Sequence, residues 1–515
     1  MPALAHPILA LQRKRAKPDA ARSVVLDDAL VALLIDAHER DEIPRLEELW
    51  TYYRNPRQTR RGASFRARAL ALGAGLPAGT PIGTQAQEAG LPARLTGARD
   101  PLGDDRERGR REVVIENDIA WRVHAMVDFM FGKPVQILST APDEAKRARI
   151  ERALDAAWEA SGGIALLQDF ALLGHVYGHA DLVLRTDALQ RAVAGGPPRL
   201  RLTDDDAIAL ARLPRVELIE PTRGVPVMDP SDYRELTGYV VHHTRHAAAT
   251  VDENGELTRA EQVVTELIAP GVREVWIDGS PASRHRDALL PDRLPVAHVQ
   301  NLSMPFRYTG LGEVEPLIAL QDELNTRLSD RASRVTMQSF KMLLAKGMEG
   351  FDRVPIGPGR VFVTDNPDAS ITLIGGDAPS PSEDAHITEI REAMDKVSTV
   401  PPLAGGVVRA KIGNLSSANA LRITLMGLLA KTARKRVTYG RGIEAISRMM
   451  LEALDRAGVL PTTDGERGLR LQWPDPLPVD LREQVVAAEA KARLGVSVER
   501  VLGELGYGDS DAGVQ

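Results

Sequence analysis

Residues 314–335 read VEPLIALQDELNTRLSDRASRV, and residues 413–436, beyond a Gly- and Pro-rich stretch, read GNLSSANALRITLMGLLAKTARKR. In the first, Leu317, Leu320, Leu324, Leu328 and Val335 recur at helical spacing and form one apolar edge. Gln321, Asp322, Asn325, Arg327 and Asp330 cover much of the rest, and Pro316 suits a first helical turn. The second stretch opens a helical pattern over 416–457, roughly 60 Å long if continuous. Gly427, Gly440 and Gly442 are its expected bend points, because glycine weakens a helix interior.

Between these rods the pattern changes twice. Residues 340–382 carry short strand-like runs, Arg360–Val363 and Ser370–Ile374, among Gly and Pro turns. That module is too small to bury a good core by itself. Helix resumes at EDAHITEIREAMDKVSTV, with Ile387, Ile390, Met394 and Val397 on one edge, and Pro401 and Pro402 stop it.

Upstream, NDIAWRVHAMVDFMF (117–131) reads as a helix with Asn117 as N-cap and Gly132 and Pro134 as its end. PVQIL then reads as a short strand, and a helix follows over 142–161. Residues 200–298 turn β-rich, with Asp252–Gly255 (DENG) as the clearest hairpin turn. The strands are grouped rather than alternating with helices, which indicates an α+β fold. Near the start, Leu26, Leu30, Leu33 and Leu34 fall at helical spacing. After residue 457 the pattern gives two further helices, one capped near Asp480 and one carrying Leu502 and Leu505.

Composition narrows the function classes. At 515 residues, several domains are expected. The formal charge of −6 opposes strong binding of a DNA backbone, and 4% aromatics opposes a base-stacking platform. With no cysteine, disulfides and thiolate-held metals are excluded. No apolar run reaches membrane-spanning length, and the basic cluster Arg13–Lys17 follows the first apolar segment, the wrong order for a secretory signal. An intracellular chain is expected. Two basic clusters, Arg57–Arg68 and DDRERGRRE, read as solvated loops, the alternative being contact with nucleic acid or a neighbouring subunit.

Catalytic signatures are weak. His175 and His179 in HVYGH have a metal-pair spacing, but Gly174 and Gly178 disfavour a helix there and no Glu follows His175. His242 and His243 in HHTRH would alternate across a strand. No phosphate-binding loop and no nucleophile elbow occurs. No enzyme, no cofactor and no metal is expected.

The ordered set of NDIAWRVHAMVDFMFGKPVQI, GLGEVEPLIALQDELNTRLSDRASRV with LLAKG, GNLSSANALRITLMGLLAKTARKR, and WPDPLPVD with LGYGD resembles the portal proteins of tailed bacteriophages and prophages, of the siphophage type. The resemblance spans about 117–515 and implies a ring, usually of twelve subunits, at one capsid vertex of the virion, assembled in the host bacterial cytoplasm. It implies an N-terminal arm and outer wing (1–116), an α+β wing (117–309), a first stem helix (310–338), a β-containing clip (339–382), a second stem helix (383–400), a tunnel loop (401–415), a long wing helix (416–457) and a helical crown (458–515). The stem would pack through Leu317, Leu320, Leu324, Leu328, Ile387, Ile390 and Met394. Val407, Val408, Arg409, Lys411 and Asn414 would face the channel, with Arg409 and Lys411 touching phosphate or merely solvating the loop. Phe351, Arg353 and Arg360 would meet partners at the clip. Implied partners are identical copies, double-stranded DNA passing without sequence specificity, the terminase, head-completion or adaptor proteins, and the major capsid and scaffold proteins, with no membrane. Lys431–Arg436 (KTARKR) is expected on a subunit-contact or solvent face rather than at DNA. The alternatives are another virion ring or scaffold without a DNA path, or an unrecognised nucleic-acid enzyme.

Overall fold

The computed structural model describes residues 26–59, 83–92, 95, 112–194, 202–232, 234–247, 250–251, 257–258, 260–339, 342–346, 365–374, 380–405, 418–477 and 481–495. The chain is a mixed helix and sheet structure divided into two compact units. One comprises residues 1–49, 122–313 and 399–515, the other 50–121 and 314–398.

The core of the first unit forms around the helix Met426–Arg456, whose Tyr439, Ile443, Ile446, Met450 and Leu454 are almost fully buried. Against it packs a three-stranded antiparallel sheet with His179–Arg185 between Val296–Gln300 and Arg215–Ile219. The helices Glu144–Ala160 and Gly163–Tyr177 contribute Ile150, Leu154, Phe170 and Ala171 to the same core. Ile119, Val123, Met126, Val127 and Met130 of the helix Asp118–Phe131 are buried, and the Asn117 side chain accepts from Ala120 N–H at its start.

A second antiparallel sheet runs, in spatial order, Ser280–Arg286, Val272–Ile277, Glu261–Ala269, Leu236–His246 and Gly224–Met228. One face is covered by the helix Asp28–Ala37 through Leu26, Val31 and the partly buried Leu30 and Leu34. Leu33 points outward at 53% exposure, because the inward stripe is centred on Leu30, Val31 and Leu34 and Leu33 falls on the other side of the helix. Strands Thr250–Val251 and Leu257–Thr258 pair antiparallel on either side of Asp252–Gly255, which themselves lie outside the described residues.

Three expectations need correction. Residues Asp204–Ala211, inside the β-rich reading, form a helix, capped by the Thr203 side chain accepting from Asp206 N–H. Gly174 sits within a helix that ends at Gly178, in the left-handed region at φ +94. Its lack of a Cβ makes room for the Tyr439 hydroxyl, which a Cβ would meet at 1.9 Å. The helix expected over 416–457 is interrupted at Leu425, between Ala418–Thr424 and Met426–Arg456, and Gly440 and Gly442 lie inside the second run. There glycine serves close packing: a Cβ on Gly442 would lie 2.3 Å from Val299 Cγ2. Asp480, Leu502 and Leu505 lie outside the described residues, and of the two C-terminal helices the first is seen as Leu481–Arg493.

In the second unit, a short 3-10 turn at Glu315–Leu317 with Pro316 leads into the helix Ile318–Ser339. A hairpin follows, Met342–Lys346 paired antiparallel with Ser370–Ile374, and then the helix Pro381–Ser398.

Candidate functional site

The helix–hairpin–helix of the second unit is held along both helices. Arg334 donates to Glu383 at 2.5 Å, Arg331 lies 3.2 Å from Asp384, and His386 stands 3.2 Å from Glu323. Positions that fall along the first helix rise along the second, so the two run antiparallel. Leu317, Leu324, Ile387, Ile390 and Met394 are buried, whereas Leu320 and Leu328 are half-buried and Val335 is 46% exposed. On its outer side the second helix leaves Glu389, Glu392 and Lys396 exposed.

The polar side of the first helix has a use that periodicity alone did not reveal. Gln321 Oε1, Asn325 Oδ1, Ser329 Oγ and Ser333 Oγ each accept, at 3.0 Å, from the backbone N–H of Asp118, Glu116, Val114 and Glu112. An extended chain advances about 6.6 Å in two residues, and a helix advances about 6.0 Å in four, so the two repeats stay in step. The side chains act as a substitute strand edge. Gln321 Nε2 donates back to the Glu116 carbonyl at 2.5 Å, and Asn325 Nδ2 donates to Gln87 Oε1 at 3.0 Å. The Asp118 rung is buried, where a backbone N–H needs such a partner, and the rungs become more exposed towards Glu112. The legible signal was the four-residue spacing of small polar side chains on one helical line. Arg391 adds a 2.5 Å ion pair to Glu116.

In the first unit, Glu313 is 2% exposed and lies 2.7 Å from both Lys431 Nζ and Lys435 Nζ. The Lys431 contact is a directed hydrogen bond, whereas the Lys435 ammonium is poorly aligned with Oε1 and acts as a neighbouring charge. Burial opposes ionisation of Glu313, but the two lysines outweigh it and bring its pKa down to about 2. Burial pulls Lys435 down to about 8, against the pull of Glu313. Two members of KTARKR therefore lie in a core ion cluster instead of on a subunit or solvent face, while Arg434 is exposed.

His175 ends in this same neighbourhood. Its Nδ1 donates to the Ala171 carbonyl at 2.5 Å, and burial, reinforced by Lys435, lowers its pKa to about 3. His179, one strand position beyond Gly178, is likewise lowered to about 3 by burial. Beside it Asp181 accepts from Tyr239 and Tyr308 hydroxyls and meets His298 Nδ1, each at 2.7 Å. His242 and His243 occupy successive positions of one strand, and His242 Nδ1 lies 2.9 Å from Thr265 Oγ1. Among the described residues no group of three or more His, Asp or Glu is arranged to hold a metal ion, and no helix is long and apolar enough to cross a membrane.

The channel candidates Val407, Val408, Arg409, Lys411 and Asn414 and the clip candidates Phe351, Arg353 and Arg360 lie outside the described residues. So do Arg60, Arg61, Arg66 and Arg68 of the first basic cluster and all of the second but Glu112.

A family model described as phage portal protein, SPP1 Gp6-like, matches residues 33–504. The chain belongs to that family. It is a portal protein, a member of a structural family of phage particles. Among solved structures, this portal chain is similar to a chain of the virion of a native gene transfer agent particle, at 13% identity and TM-score 0.38, covering 86% of this chain and 99% of that one. It is also similar to a chain from the neck of the native particle computed with C12 symmetry, at 14% identity and TM-score 0.37, covering 86% and 99%. No curated protein matches it.

Proposed function

We propose that this portal protein assembles into a ring at one vertex of the virion, through which double-stranded DNA enters during packaging and leaves at ejection. The observation that carries this reading is a family match over 33–504 that contains a helix, a hairpin and an antiparallel helix in direct succession. In the ring, the helices Ile318–Ser339 and Pro381–Ser398 serve as the stem, with the hairpin between them in the clip. The wing (117–309), the tunnel loop (401–415), the long wing helix within 416–457 and the crown (458–515) complete the subunit. Twelve copies would be the particle form, closed by head-to-tail contacts.

The charge balance supports a conduit. A duplex must slide, and a chain of net charge −6 limits counterion-release affinity. Arg409 and Lys411 would steady phosphates locally, beside Val407, Val408 and Asn414. The clip, through Phe351, Arg353 and Arg360, docks the terminase and afterwards head-completion or adaptor proteins, while the capsid and scaffold proteins surround the wing. The ATP-driven step belongs to the terminase, in keeping with the missing phosphate-binding loop.

Electron microscopy of the purified chain tests this reading. Closed rings with an axial opening of duplex width are expected; compact symmetric particles without a channel would favour a scaffold and overturn the conduit.

A further inference from the structure

The long wing helix has two apolar faces, and the core uses one of them. Leu428, Thr432, Lys435, Tyr439, Ile443 and Ile446 face inward and are buried. On the opposite side, Ile423, Met426 and Val437 are 73%, 68% and 54% exposed, and Ala430 and Ala433 are exposed between them. The five follow a three-four-three-four spacing, the a and d positions of a heptad, and Leu425 N–H still donates to Leu421 O and Leu429 N–H to Leu425 O across the interruption. A helix whose inner face is already satisfied has no need of such a seam for its own fold; a solvated outer face carries polar residues. Beyond Val437 the outer face becomes conventional, with Arg441 and Arg448 exposed.

We infer that this seam is covered by a second copy of the chain in the assembled ring, an inference that rests on the ring reading above. Two features favour a copy of this chain. Arg434, Arg441 and Arg448 recur every seven residues beside and beyond the seam, with no ion pair among the described residues. The chain, at net −6, also exposes carboxylates away from this helix, Asp205 and Asp206 among them. Head-to-tail contact sets one patch of each copy against a different patch of the next, so a neighbouring copy can offer carboxylates to the arginine row. Nucleic acid would satisfy the arginines and leave Ile423, Met426 and Val437 uncovered, so a protein surface fits better.

The absence of cysteine makes the test direct. In the full chain, Ala433→Cys places a single thiol on the seam, and maleimide labelling is followed in separated monomer and ring fractions. The thiol is expected to react freely in the monomer and about tenfold or more slowly in the ring, since reaction requires access. In parallel, Met426→Glu with Ala430→Glu is expected to leave a folded monomer, checked by its melting curve, that no longer assembles on sedimentation. Rings of unchanged stability from the double variant, or equal labelling in both fractions, would overturn the inference while leaving the ring intact. Protection already present in the monomer would show that the chain covers its own seam, and a seam protected only by added duplex DNA would assign it to nucleic acid; either result overturns the inference. Wild-type protein that never assembles would refute the ring reading itself.

Discussion

Lys435 Nζ lies 2.7 Å from Glu313 Oε1, with 1% and 2% of the two side chains exposed. Glu313 ends the first unit's run 122–313, and Lys435 stands on the inner face of the long helix Met426–Arg456. Removing one partner from a buried pair leaves the other charge uncompensated, which costs about 3–5 kcal/mol. Glu313→Gln is therefore expected to lower unfolding free energy by about that amount in urea titration. Combining it with Lys435→Met should recover part of the loss, because the fully buried ammonium is then gone and only the more exposed Lys431 has lost its Glu313 contact. A single variant as stable as wild type would show that the pair does not stabilise the first unit.

Acid should destabilise the fold through His175 and His179. Both have pKa values near 3 in the native chain, against about 6.5 for an unfolded histidine. Between these values the unfolded chain binds protons that the native chain does not, so stability falls as pH falls from about 6.5 towards 3. Each histidine contributes a slope approaching about 1.4 kcal/mol per pH unit. His175→Gln and His179→Gln are expected to flatten the dependence of unfolding free energy on pH between pH 6 and pH 4, whatever their effect at pH 7. Slopes unchanged from wild type would show that other groups govern the acid limb.

The ladder on the helix Ile318–Ser339 makes a separate prediction. Asn325 is fully buried and accepts from the Glu116 N–H while donating to Gln87. Asn325→Ala strands those groups and should cost about 1–3 kcal/mol, with faster amide exchange at Glu116. Exchange at Glu116 that stays as slow as in wild type would mean that another partner holds that amide.

Two glycines of the long helix should differ in their response to alanine. At Gly442 the new Cβ would meet Val299 Cγ2 at 2.3 Å, and Val299 is a buried strand residue with little room to move. Overpacking there is expected to cost about 1–3 kcal/mol. At Gly440 the nearest atom is Leu471 Cδ1 at 3.2 Å, the end of a longer side chain. A gain of about 1 kcal/mol in helix propensity offsets the squeeze, so Gly440→Ala should be near neutral. Thermal melting of the two variants distinguishes them, and equal melting temperatures would contradict the packing assignment.

Much of the architecture was set by local pattern. Periodicity located the helix that begins in VEPLIALQDELNTRLSDRASRV, its antiparallel partner, the strand Ser370–Ile374 between them and the helix opened by Asn117, because apolar spacing and caps act within a few residues. The order of these segments resembles that of the portal family. Sequence did not reveal which face each polar residue would use. Lys431 and Lys435 read as surface charges until Glu313, more than a hundred positions away, was found inside the same core. Gly174 read as a helix breaker and Gly440 and Gly442 as bend points, since propensity sees only the local chain; at Gly174 and Gly442, Tyr439 and Val299 occupy the space that a Cβ would need. Local sequence thus determined where helices and strands form, while tertiary packing decided which charges are buried and why glycine sits inside a helix, because both depend on partners distant in sequence.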